Sequence, residues 1–138
     1  RTDHYKTIRK MEEGARRILN MNFNYFYKTQ ADEFSFIRIP KALMTEEVFS
    51  DLSIDAKILY GLLMDRMSLS VKNEWLDEQN RAYILYPIAD IMEEFRVSKR
   101  KAIDTLAELE KKGLIEKKQR GMGQPSIIYV KKFQVLRA

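Results

Sequence analysis

Residues 98–101, Ser-Lys-Arg-Lys, open a run, SKRKAIDTLAEL, with the spacing of a helix. Ser98 suits an N-cap, because its hydroxyl can accept a backbone N–H that the helix leaves unpaired. The three cations that follow oppose the helix dipole, which favours Asp or Glu in the first turn by about 0.3–1 kcal/mol per charge. A phosphate placed there would reverse that balance, since the dipole, the free N–H groups and the cations would all act on it. On a helical wheel Arg100, Lys101, Asp104, Glu108 and Lys111 lie opposite an apolar stripe of Ala102, Ile103, Leu106 and Leu109. Lys99, Arg100 and Lys101 are therefore expected to anchor phosphate or read guanine. Asp104 could accept from a cytosine amino group or pair with Arg100 or Lys101. Thr105 is expected to touch a thymine methyl or a phosphate. Glu108, which phosphate would repel, is expected to point away. A second basic set, Lys117, Lys118 and Arg120, leads into the loop GMGQP with Gln124 near its tip, and is expected to hold flanking backbone.

The elements that position these residues can be read from periodicity. Ser53 should cap a helix over 54–69 whose stripe is Ile54, Ile58, Leu59, Leu62, Leu63 and Met67, with Gly61 marking a close contact. Before it, Thr45 should cap a short turn over 45–50. Residues 73–86, NEWLDEQNRAYILY, read as a hairpin turning at Asp77–Arg81, with Trp75 as a packing anchor. Pro87 suits the first turn of the next helix. Ile88, Ile91, Met92 and Phe95 make a helix of two turns. A tight turn, the helix from Lys99 with Gly113 behind it, and two β-rich runs about the glycine loop complete the order. Helix, turn, helix, strand, loop, strand is a winged helix-turn-helix, and its second helix can enter a major groove about 12 Å wide. The fold class is thus α+β, with a β-hairpin between the first and second core helices and an added N-terminal helix/strand arm. The arm is a helix over 1–20 carrying Ile8, Met11 and Ile18, and then strand-like alternation at 21–29 and 34–39. The division is an arm at 1–20 and a DNA-binding domain at 21–138. Ile8, Met11, Ile18 and the 23–27 strand are the candidates for self-association.

Charge supports a polyanionic partner. The chain of 138 residues has a net charge of +5, unevenly placed: residues 96–138 hold 12 Lys/Arg against 4 Asp/Glu, and residues 1–95 hold 13 against 16. Segregation of this kind points to such a partner more than overall basicity does. There is no Cys, which removes thiol chemistry and fits a reducing cytoplasm, the expected location. His4 is the single histidine, so Ser-His catalysis and His-ligated metal are not expected. The glycine loop lacks the Lys-Ser/Thr of a P-loop. No enzymatic activity, cofactor or membrane span is expected.

Four blocks in order, FYKTQADEFSFIRIPKAL (26–43), LSIDAKILYGLLMDRMSLSVKNEWLDE (52–78), AYILY (82–86) and GLIEKKQRGMGQPSIIYVKKF (113–133), resemble the N-terminal domain of the RepA_N replication initiators of Gram-positive plasmids and conjugative elements. The resemblance spans roughly residues 21–133. It implies sequence-specific binding of double-stranded DNA at repeated origin sites. It also implies host replication partners, recruited by a C-terminal domain outside this sequence. Ser98 to Thr105 and the wing residues Lys117, Lys118, Arg120 and Gln124 match the family's recognition helix and wing. The same fold also serves transcriptional regulators and protein-interaction modules in initiation complexes, which remain the alternatives.

Overall fold

The computed structural model of the chain describes residues 21–27, 34–134 and 136, in two units divided at residues 1–35 and 36–138. The expected helical arm over 1–20 lies outside the described residues, as do residues 28–33. In the first unit residues 21–27 are exposed and form no ladder, contrary to the strand expected there. Phe26 and Phe34 meet edge to face with centroids 6.0 Å apart. Residues 34–39 likewise form no strand, although their alternation suggested one. Alternation alone makes a strand only when a partner edge is in reach.

The second unit holds four α-helices and a two-stranded antiparallel sheet. They are α1 (Ala42–Thr45), α2 (Ile54–Lys72), α3 (Ile88–Phe95), α4 (Lys99–Lys112), β1 (Ile115–Lys118) and β2 (Ile127–Val130), with a 3₁₀ turn at Glu47–Phe49. Thr45 does not cap that turn. It ends α1, and its hydroxyl donates back to the Lys41 carbonyl. Ser53 does cap α2, its Oγ accepting from Ala56 N–H at 3.1 Å. The buried face of α2 is Ala56, Leu59, Tyr60 and Leu63, whereas Ile54 is exposed. Gly61 sits under the extended segment before α1: a Cβ there would lie 2.8 Å from Ile39 Cγ1 and 3.0 Å from the Arg38 carbonyl oxygen.

The expected hairpin is present in reduced form. One bridge joins Leu76 to Ala82, and Asp77 Oδ1 closes the turn by accepting from Gln79 and Arg81 N–H. Trp75 is 41% exposed and does not anchor the core. Beyond the turn Ile84 bridges Ile128, which sets a short extended segment beside β2. Pro87 is the N-cap of α3, one position earlier than expected. Arg96 takes the left-handed conformation (φ 55°) and turns the chain out of α3. In that conformation an L-residue with a Cβ is strained by about 1–2 kcal/mol. Leu43, Leu59, Leu63, Ile84, Ile91 and Leu109 are fully buried, so α1 to α4 and the hairpin contribute to one core. Phe133 closes it, with its ring 4.9 Å from Phe49 and 6.1 Å from Tyr60.

A polar cluster ties α2 to α3. Glu94 accepts from Arg66 and from the Tyr86 hydroxyl, and the Arg66 guanidinium stacks 3.9 Å over the Tyr86 ring. Partial burial pushes the Glu94 carboxyl up. The bonds from Tyr86 and Arg66 and the Arg66 charge outweigh that and hold its pKa below the ordinary glutamate value.

Gly61→Ala adds helix propensity of about 1 kcal/mol but forces a clash of about 1–3 kcal/mol, so it should lower the melting temperature. Because Glu94 is depressed in the folded state, its contribution is complete above the unfolded pKa of roughly 4.3 and is lost as pH falls below it. Thermal melts across pH should therefore be flat near neutrality and fall in acid. Glu94→Gln should begin less stable at neutral pH and show a shallower acid decline.

Candidate nucleic-acid interface

The helix from Lys99 is built as its sequence indicates. Ser98 Oγ accepts from Lys101 N–H at 3.1 Å, and the first turn contains no acid. Gly113 (φ 89°) ends it in a Schellman arrangement: Gly113 N–H reaches the Glu110 carbonyl and Leu114 N–H the Leu109 carbonyl, both at 3.0 Å. The other long helices start differently. α2 has Asp55 in its first turn and α3 has Asp90, so α4 alone among the three begins with cations and no carboxylate.

One side of α4 is committed to the body. Lys101 Nζ pairs with Asp55 at 2.8 Å, and the carboxylate beside it raises the lysine pKa. Glu108 accepts from Ser53 N–H (3.0 Å) and from Ser53 Oγ–H (2.7 Å). Lys112 Nζ pairs with Asp51 (2.6 Å) and donates to the Val48 carbonyl (3.0 Å). Residues 101, 108 and 112 recur at seven and four, one ridge of a helix. Glu108 faces the body, where it closes the N-terminus of α2.

This seam redistributes the expected residues. Ser98, Lys99 and Arg100 stay on the outward start of α4. Arg100 is 89% exposed and lies 3.7 Å from Asp104, a loose pair that orients both without fixing either. Lys101 belongs mainly to the Asp55 contact. Thr105 is a correction: it is 2% exposed and its hydroxyl donates to the Lys101 carbonyl at 2.6 Å, so it cannot touch a base or phosphate. Ile103 is the converse correction. Assigned to the apolar stripe by spacing, it is 45% exposed, and Thr105 takes its place inside beside Ala102, Leu106 and Leu109. A wheel with both residues at the stripe's margins gives no signal to separate them.

The wing stands beside α4. β1 and β2 pair with Lys117 opposite Ile128 and Lys118 opposite Ile127. Glu110 fixes the root of β1 by accepting from Lys117 N–H at 2.9 Å. Strand alternation turns Lys117 and Lys118 to opposite faces. Lys117 lines the groove against α4 with Ile103, Ala107 and Glu110, so it is the wing cation nearest the helix. Lys118 and Gln124 are exposed away from that groove. Arg120 is half-buried, its Nε donating to the Pro125 carbonyl at 3.1 Å, which holds the loop rather than reaching outward. Gly123 (φ 80°) makes the turn, and Met122 at the tip is fully exposed. Ile103 and Lys117 thus share one groove, with Lys99 and Arg100 exposed at the helix start and Lys118 and Gln124 exposed on the wing.

Comparison with known proteins agrees with this architecture. A solved structure described as the N-terminal domain of a DNA binding protein matches with 36% identity and a TM-score of 0.70, over 83% of this chain and 88% of that one. One described as a Rep–DNA complex matches to the same extent. One described as an MDR initiator matches at 30% identity and TM-score 0.66, over 83% and 90%. A 41 kDa protein of Lactobacillus helveticus is 31% identical over 88 residues, which is 64% of this chain and 25% of that protein. The chain therefore spans about a quarter of that curated relative's length. Residues 35–138 match the family described as the replication initiator protein A (RepA) N-terminus, and the chain belongs to that family.

Proposed function

We propose that this chain is the DNA-reading part of a replication initiator. It binds double-stranded DNA sequence-specifically, at repeated sites in the origin of a plasmid or mobile element, and it performs no catalysis itself. The observation that carries the reading is the start of α4: a capped N-terminus with cations and no acid in its own first turn, turned outward by the Lys101–Glu108–Lys112 seam, with the wing cation Lys117 further along the helix beside Ile103. That combination suits a phosphate at the helix end and a base edge beyond it. A relative described as a Rep–DNA complex supports the same partner. Recruitment of host replication proteins falls to the remaining part of a longer initiator.

Self-association accompanies repeated sites in this reading. Phe23 and Tyr25 are 86% and 83% exposed, an unusual outlay of aromatic surface for a water-facing segment. They are the proposed contact between copies, together with Ile8, Met11 and Ile18. Sedimentation should show dimer that Phe23→Ser with Tyr25→Ser converts to monomer; a wild-type monomer at high concentration removes this part of the reading.

The DNA reading is tested with duplexes selected by the protein from a random pool. Arg100→Ala should lose specific affinity by about 1–3 kcal/mol and relax preference at one position. Lys117→Ala should weaken specific and non-specific binding alike and reduce the slope of log affinity against log salt by about one. Wild-type affinity in the Arg100→Ala, Lys117→Ala double variant would sink the proposal.

A further inference from the structure

We infer that Ile103 is a base-reading residue that receives the 5-methyl group of a thymine in the major groove. The inference rests on the DNA-binding role proposed above and adds a chemical preference to it. Ala102, Leu106 and Leu109 on the inner face of α4 are 1%, 6% and 0% exposed, whereas Ile103 is 45% exposed. A β-branched side chain is a mediocre choice for an exposed helix position, because it loses rotamer freedom and leaves apolar surface in water. Its place explains the choice. Ile103 lies three residues after Arg100, hence about 4.5 Å further along the helix on nearly the same face. If Arg100 meets backbone or guanine at the groove's edge, Ile103 meets the adjacent base.

The surroundings are mostly apolar where a methyl would sit, Glu110 and Lys117 being the charged members of the groove. Ile103, Leu106 and Ala107 line one wall of the groove between α4 and the wing, with Ile115 and Ile128 behind them and Lys117 at its margin. Thymine is the one base that presents an apolar group in the major groove, so an apolar side chain there discriminates it from cytosine. No hydroxyl competes for that role, since that of Thr105 is turned inward to the Lys101 carbonyl. Asp104, the neighbour on the outward face, is an acceptor with nothing to offer a methyl group.

The test replaces each thymine of a selected duplex, one at a time, with deoxyuridine, which removes the methyl and leaves the base pair intact. Wild-type protein should lose roughly fourfold in affinity at one position per bound domain, the worth of about one buried methyl. Ile103→Ala should bind the thymine and uracil duplexes equally at that position while keeping its dependence on Arg100. Ile103→Gln, a polar helix former at an exposed site, should behave the same way and serves if the alanine variant is poorly folded. Uracil substitution without effect on the wild type anywhere, or an effect that survives in both variants, overturns the inference while leaving DNA binding intact. Failure of the wild type to select any duplex overturns the DNA-binding reading as well.

Discussion

The surface this domain presents depends on how α4 is rolled about its own axis, and the contact that sets the roll is Glu108 against Ser53. One carboxylate accepts from both the backbone N–H and the hydroxyl of Ser53, at 3.0 and 2.7 Å, while the same hydroxyl accepts from Ala56 N–H. The start of α2 is thereby satisfied by a side chain borrowed from α4. Lys101 and Lys112 flank it on Asp55 and Asp51. Exposed ion pairs are individually weak, but three contacts along one ridge leave α4 few other rolls. With the ridge held inward on one side and Leu106 and Leu109 in the core, Arg100 and Ile103 have only the outward face to occupy.

The same logic explains why the wing sits where it does. Glu110, next along the helix, holds the first strand through Lys117 N–H, and Ile84 pairs with Ile128 from the other side. Asp77 extends this by bonding the Tyr129 hydroxyl at 2.9 Å while Arg81 stacks near the Tyr129 ring. The hairpin between α2 and α3 therefore serves as a brace behind the wing more than as a sheet in its own right. Glu94, Glu108 and Glu110 act as fasteners between elements, each accepting hydrogen bonds from another part of the chain.

Much of this was legible in the chain. The bounds of α3 and the start of α4 follow from Ile88–Phe95 spacing and from Ser98, because caps and single-faced periodicity are local signals. Gly113 and Gly61 likewise announced an αL turn and a close approach. What was not legible was tertiary. Thr105 and Ile103 exchange roles because both border the apolar stripe, and only the roll of α4 decides between them. Glu108 reads as a repelled surface acid until Ser53, distant in sequence, is beside it. Lys117 and Lys118 look equivalent until strand alternation separates them. The aromatic runs at 21–27 and 34–39 alternate like strands, yet neither is one.

In the proposed function the outward face at the start of α4, with the near face of the wing, meets DNA. Backbone amide chemical shifts during titration with a duplex selected from a random pool test it most directly. Changes should concentrate at Ser98–Asp104 and over 117–124, with the α2 face around Leu59 and Leu63 undisturbed. Changes centred on the aromatic segment at 21–27, or none above those seen with an unselected duplex, would contradict it.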